Sequence, residues 1–182
     1  MRLKDQYLVW QLKRSSERAL CRIYNEYETD LLSLATSLLG SADQAQDVLQ
    51  DVFVKFIESI DTFELTGSLK SYLATCIVNR ARDYLRRDRR RSDEPMETAH
   101  KVTSPRCGPL DAVVEDEQRE RLAGALAELP CEQREVVLLH LQAGLKFREI
   151  ARMQGISVKT AWTRYRYGLD KLRSSLNGQV EE

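Results

Sequence analysis

The chain is short of the residues that make turns, sheets and metal sites. Eight glycines in 182 residues, set among abundant Leu, Glu, Arg and Ala, favour helix and leave almost no strand to be expected. The four cysteines, Cys21, Cys76, Cys107 and Cys131, lie far apart and never approach C-x-x-C spacing. They read as buried or idle thiols rather than zinc or redox ligands. The two histidines, His100 and His140, are also separated, and no group of carboxylates or histidines has metal spacing. An enzyme acting on nucleic acid is thereby disfavoured, and no cofactor or metal is expected. No window holds 18 consecutive apolar residues, and the opening MRLKDQYLVWQLKRSS places charges where a signal peptide needs its apolar core. A cytoplasmic protein with no membrane partner is expected. Its 42% apolar and 31% charged residues describe a soluble globular chain, long enough for one ordinary domain or two small ones.

Net charge is absent too, but the balance hides a pattern. Residues 1–79 carry 8 basic and 11 acidic side chains, and residues 80–91 carry 7 and 2. Residues 92–120 then carry 3 and 8, and residues 121–176 carry 10 and 5. Two positive blocks are separated by an acidic one, so any nucleic-acid contact is divided between two places.

Helical periodicity supplies the organisation. The segment SSERALCRIYNEYETDLLSLATSLLG has apolar residues at Leu20, Ile23, Tyr24, Tyr27, Leu31, Leu34, Ala35 and Leu38 and stops at Gly40, which predicts a long capped helix with one buried face. SADQAQDVLQDVFVKFIESID follows, with Ser41 as N-cap and Ala45, Leu49, Val52, Phe53, Phe56 and Ile60 as its stripe. After the non-helical TFELTGS comes a third helix, roughly residues 68–90, whose expected inner face is Leu73, Ile77, Ala81, Tyr84 and Leu85. With a short N-terminal helix these form a small bundle over residues 1–91. Residues 92–110 hold three of the four prolines and no periodicity, as a flexible linker does.

Helical pattern returns over residues 111–176, breaks at Pro130, and ends in LKFREIARMQGISVKTAWTRYRYGLDKLRSSL. A helix of about seven residues, a turn at Gly155, Ile156 and Ser157, and a longer helix make the layout of a helix-turn-helix. Its second helix turns Ala161, Tyr165, Leu169 and Leu172 inward, leaving Lys159, Thr160, Trp162, Thr163, Arg164 and Arg166 for a major groove. Any basic helical hairpin with a glycine in its turn gives a similar pattern. The fold class is therefore all-α: two small helical domains joined by a linker, followed by a tail at 177–182 and no further C-terminal domain.

Two surfaces of the first domain carry opposite charge. On the second of its long helices, Asp43, Asp47, Gln50 and Asp51 lie opposite the apolar stripe, a face that repels phosphate and suits a basic protein surface. On the third, the run ARDYLRRDRRR belongs to a stretch with seven arginines between Arg80 and Arg91 against Asp83 and Asp88. Asn79, Arg82, Arg86 and Arg90 recur at helical spacing and face outward. Arginines also suit the C-terminal end of a helix through its dipole, but five uncompensated charges exceed that need.

Taken together, the blocks SADQAQDVLQDVFVKFIESID, SLKSYLATCIVNRARDYLRRDRRR and LAELPCEQREVVLLHLQAGLKFREIARMQGISVKTAWTRYRYGLDKL resemble a bacterial RNA polymerase sigma factor of the sigma-70 family. The two-domain form is that of its extracytoplasmic-function (ECF) subgroup. The resemblance implies a non-catalytic protein that binds core RNA polymerase, on the beta-prime clamp helices and the beta flap, and promoter DNA. It implies polymerase contacts at Asp47, Gln50 and Asp51. It makes Glu64, Leu65, Thr66, Gly67 and Ser68 the loop that captures a flipped base of the minus-ten element, which Asn79, Arg80, Arg82, Asp83 and Arg86 help to open and read. The helix-turn-helix would read the minus-thirty-five element through Lys159, Thr160, Trp162, Thr163, Arg164 and Arg166. An anti-sigma factor is one candidate controller. Departures stand at Tyr72, where a tryptophan is common, and at Trp162 and Tyr167, where basic residues are frequent. The orientation of Trp162, outward or packed inward, is left open.

The 19-residue linker reaches at most about 65 Å, or roughly 19 base pairs, enough to join two promoter elements. Being acidic, it should avoid DNA and suit a basic channel of the polymerase. The competing assignment is a stand-alone helix-turn-helix regulator whose N-terminal bundle dimerises or senses a signal; it would bind palindromic duplex without polymerase and have no use for a strand-capturing loop.

Overall fold

The computed structural model describes residues 3–92 and 111–177, with side-chain surroundings for 3–88, 118 and 120–177. Residues 93–110 of the linker, with His100 and Cys107, and residues 178–182 of the tail lie outside the described residues, as do the side chains of Arg89, Arg90 and Arg91. Every regular element described is a helix: α1 Leu3–Leu12, α2 Glu17–Leu39, α3 Ala42–Glu58, α4 Leu69–Ser92, α5 Asp111–Ala127, α6 Cys131–Leu141, α7 Phe147–Gln154 and α8 Val158–Asn177. They divide into two compact units, one built on α1 to α4 and the other on α5 to α8.

In the first unit, α2 begins where Ser16 Oγ accepts the Ala19 N–H at 3.3 Å, an N-cap bond that satisfies one of the orphan donors of the first turn. Its stripe from Ala19 through Ile23, Tyr27, Leu31 and Leu34 to Leu38 is buried, against α1 and α4. The chain leaves at Gly40, whose φ of 73° lies in the left-handed region that favours glycine. Helix α3 buries Ala45, Val48, Leu49, Val52, Phe53 and Phe56 and meets its neighbours through aromatic contacts, Phe53 on Tyr24 of α2 and Phe56 on Tyr72 of α4. On α4 the inner face is Leu69, Leu73, Ala74, Ile77, Val78 and Ala81. Tyr84 and Leu85, expected inside, are only half-buried; Tyr84 lines an open groove shared with Asp47, Gln50 and Asp51 of α3.

Asp5 is the polar exception. Its carboxylate is fully buried, accepting the Tyr27 hydroxyl at 2.8 Å on Oδ1 and the Leu69 N–H at 3.1 Å on Oδ2. The second bond places a carboxylate at the N-terminus of α4, where the helix dipole favours it, and ties α1 to both α2 and α4. Asp5→Ala would strip two buried donors of their acceptor. It is expected to lower the stability of this unit by about 2–3 kcal/mol, measured by urea denaturation, with Asp5→Asn losing less because one acceptor remains.

In the second unit, α8 packs on α5, α6 and α7, and α6 on α7. The core is Val136 to Leu139 of α6, with Leu145, Ile150, Ala151, Ala161 and Leu172. Gly168 lets α8 approach α6: a Cβ there would stand 2.8 Å from Val137 Cγ2, closer than packed carbons tolerate. His140, isolated in the sequence, belongs to this packing. Its ring stacks on Phe147 at 4.4 Å between centroids and meets Tyr165 edge-on at 4.9 Å, while Nδ1 lies 2.8 Å from the Leu145 carbonyl oxygen. Among the described cysteines, Cys21 and Cys131 lie at exposed positions and Cys76 is half-buried.

Candidate polymerase and nucleic-acid interfaces

The outer face of α3 is built by the helix period. Asp47 and Gln50 are exposed and Asp51 half-buried, one turn apart on the side opposite Leu49, Val52 and Phe56. The same face continues through Val54 and Ile57, 52% and 38% exposed. Sequence reasoning missed these two, which look like more of the apolar stripe. Their signal was phase, since they fall at i+7 and i+10 from Asp47 and out of register with Val52 and Phe56. An acidic face continued by exposed branched aliphatics is suited to a basic, partly apolar partner surface.

Between α3 and α4, the loop expected to capture a base has Glu64, Thr66 and Gly67 exposed and Leu65 and Ser68 half-buried. Its ends are held. On one side Phe63 packs on Tyr72 at 4.6 Å and edge-on to Phe56 at 5.3 Å between centroids. On the other, Ser68 O accepts the Tyr72 N–H at 3.1 Å and Leu69 donates to Asp5. Burial, with Cys76 beside it, pushes the Tyr72 phenol up to about 12, so at neutral pH the ring behind the loop is uncharged. Burial also raises the Cys76 thiol.

The α4 residues expected to meet the promoter divide into two groups. Asn79, Arg82, Asp83 and Arg86 line one shallow outer depression, with Asp83 Oδ1 accepting from Arg86 Nη2 at 2.8 Å. Arg80 is not on this stripe. It lies about 100° round the helix from Asn79, toward α3, where its Nε donates to Asp51 Oδ2 at 2.9 Å and its Nη2 donates to the same oxygen. Arg80, Tyr84 and Arg87 thus share a groove with Asp47, Gln50 and Asp51. Two residue sets assigned to different partners meet there.

The helix-turn-helix closes as its sequence directs. Gly155 ends α7 at φ 66°, and Ser157 Oγ caps α8 by accepting the Thr160 N–H at 3.0 Å. Lys159, Thr160, Trp162 and Arg166 are exposed, and Thr163 and Arg164 half-buried. Two of these also hold the motif together. Thr160 Oγ1 lies 2.8 Å from Ser157 Oγ. Arg164 Nη1 donates to Gln154 Oε1 at 3.4 Å, and Gln154 Nε2 in turn donates to buried Glu135 at 3.0 Å, linking α8, α7 and α6. Trp162 points outward, 47% exposed, because it sits about 100° from buried Ala161. Arg166 bridges it to exposed Tyr167, its guanidinium carbon 5.3 Å and 5.5 Å from the two ring centroids, within cation–π range.

The comparisons with known proteins fall on the same two units. A sigma-70 region 2 model matches residues 23–91 and a sigma-70 region 4 model matches residues 119–172. The chain is 25% identical over 174 residues to the ECF RNA polymerase sigma factor SigW of Bacillus subtilis, covering 91% of this chain and 93% of that one. It is 29% identical over 146 residues to the ECF sigma factor EcfG of Rhodopseudomonas palustris, covering 80% and 78%. Against the ECF sigma-E factor of Escherichia coli it is 24% identical over 187 residues, covering 98% and 95%. Among solved structures, CnrH in complex with the cytosolic domain of CnrY matches at TM-score 0.70 and 24% identity over 96% of this chain and 97% of that one. The sigma factor RpoE in complex with the anti-sigma factor NepR, from Bartonella quintana, matches at TM-score 0.68 and 24% identity over 86% and 95%. These two likenesses are of fold. With both sigma-70 regions in order on one chain, and relatives that align over most of its length, the protein belongs to the sigma-70 family of RNA polymerase sigma factors, in its ECF form.

Proposed function

We propose that this sigma factor docks on the beta-prime clamp helices of core RNA polymerase through Asp47, Gln50 and Asp51, joined by Val54 and Ile57. Its second unit contacts the beta flap. Bound in this way, it directs the enzyme to specific promoters and assists their melting. Glu64 to Ser68 take a flipped base of the minus-ten element, Asn79, Arg82, Asp83 and Arg86 open and read that element, and Arg80 assists from the α3 side. Lys159, Thr160, Trp162, Thr163, Arg164 and Arg166 meet the minus-thirty-five element in the major groove. The working limits are 1–91 for the region 2 domain, 92–110 for the linker and 111–176 for the region 4 domain. The protein works in the cytoplasm; among the described residues no helix is long and apolar enough to cross a membrane. An anti-sigma factor is proposed as a further partner, as in the NepR complex of the Bartonella protein.

The observation that carries this assignment is the pairing of opposite faces in one small unit. An acidic and aliphatic α3 surface repels DNA and needs a protein partner, while the α4 stripe and the loop before it suit a strand of DNA. A duplex-binding regulator needs neither the loop nor the acidic face. Free protein should therefore bind promoter duplex weakly, since its positive blocks are offset by acidic segments. Gel-shift titration at near-physiological salt checks this: binding weaker than micromolar is expected without core polymerase, and nanomolar binding by the isolated chain would refute it.

A further inference from the structure

We propose that the Asp51–Arg80 pair is an exchange contact: docking on polymerase takes Asp51 from Arg80, and the released guanidinium then serves the promoter backbone. The inference rests on the assignment of α3 to polymerase and α4 to promoter DNA. Arg80 donates twice to one oxygen of Asp51, so in the free protein a cation of the DNA-reading helix is spent on the polymerase-binding face. The side chains are 24% and 47% exposed, so Arg80 is largely covered while water and a partner reach the carboxylate of Asp51, and ion pairs at the surface are weak and readily displaced. The groove they share supplies the displacing geometry. A basic side chain entering from a partner meets Asp47 and Asp51 on the α3 wall, while the α4 wall, with Arg80 and Arg87 against Asp88, stays net positive and repels it. The same approach that satisfies Asp51 drives Arg80 outward, toward the neighbouring stripe of Asn79, Arg82 and Arg86. Polymerase docking and promoter reading are in this way coupled through one carboxylate, and the free chain keeps part of its positive charge from DNA.

A mutant cycle on the full chain without polymerase tests the exchange, with a fluorescein-labelled 20-nucleotide single-stranded DNA as probe. Asp51→Ala is expected to tighten binding about three- to fivefold and to steepen the salt dependence by about 0.7, one more phosphate neutralised. Arg80→Ala and the double variant should bind no tighter than the parent. Asp47→Ala, which removes the same charge without touching Arg80, should change affinity less than twofold. Unchanged affinity in Asp51→Ala would overturn the exchange contact. So would an equal gain in the Arg80→Ala background, because Asp51 would then act by simple repulsion. Matched circular dichroism melts establish that the variants fold. Capture of core polymerase by the parent chain, run in parallel, judges the functional assignment separately: its failure removes that assignment, whereas the cycle alone decides whether Asp51 withholds Arg80 from DNA.

Discussion

Reversing two charges on α3, Asp47→Arg with Asp51→Arg, is expected to weaken binding to core RNA polymerase by at least a hundredfold. Close charge pairs across a desolvated protein interface couple by about 1.5–7 kcal/mol, and a hundredfold loss is only about 2.7 kcal/mol. Replacing two attractions by two repulsions therefore exceeds that figure even if each pair is at the weak end. The fold should tolerate the change, since Asp47 is exposed and Asp51 half-buried, and surface substitutions away from the core usually move stability by no more than about 0.5 kcal/mol. The guanidinium introduced in place of Asp51 would face Arg80, a repulsion that water largely screens at this exposure. Pull-down or biolayer interferometry with purified core polymerase gives the affinity, and thermal melts control for folding. Binding within tenfold of the parent, with matching melts, would mean that α3 is not the docking face.

The second large effect should separate two parts of the arginine run. Arg82→Ala with Arg86→Ala removes the cations of the outer depression and is expected to slow promoter opening by tenfold or more, followed by permanganate reactivity of unpaired thymines in the holoenzyme. Neutralising Arg89, Arg90 and Arg91 should leave opening nearly intact. It should instead lower the slope of log affinity against log salt by about 2 to 3, as loss of three phosphate contacts on duplex implies. The distinction follows from position: Arg82 and Arg86 stand on one stripe with Asn79, and Asp83 holds Arg86 in place. Equal effects of the two variants on opening and on salt dependence would show that the run acts as one electrostatic strap.

Much of this was legible because helices write their buried faces into sequence at a fixed period. The stripes of α2 and α3, the glycine at the turn of the helix-turn-helix and the outward set Asn79, Arg82, Arg86 all follow from that period together with the residues that end helices. Asp5 was not legible. A single carboxylate in a short amphipathic helix looks like surface charge, and its partners Tyr27 and Leu69 lie 22 and 64 residues away. The pairing of Arg80 with Asp51 was hidden for a related reason. In a run of arginines every member looks alike, and only the neighbouring helix, bringing Asp51 within reach, separates one from the next. Val54 and Ile57 hid inside an apolar pattern whose interior they do not share. The orientation of Trp162 stayed open in the sequence because an indole suits core or surface, and one residue's rotation from buried Ala161 carries it outward.

Run-off transcription with purified core polymerase tests the central claim most directly. Genomic DNA fragments serve as template, and the transcript start sites are mapped. Adding the chain to core enzyme is predicted to give discrete start sites absent with core alone, and Asp47→Arg with Asp51→Arg should abolish them. No new start sites, with the chain failing to co-elute with core polymerase, would contradict the account.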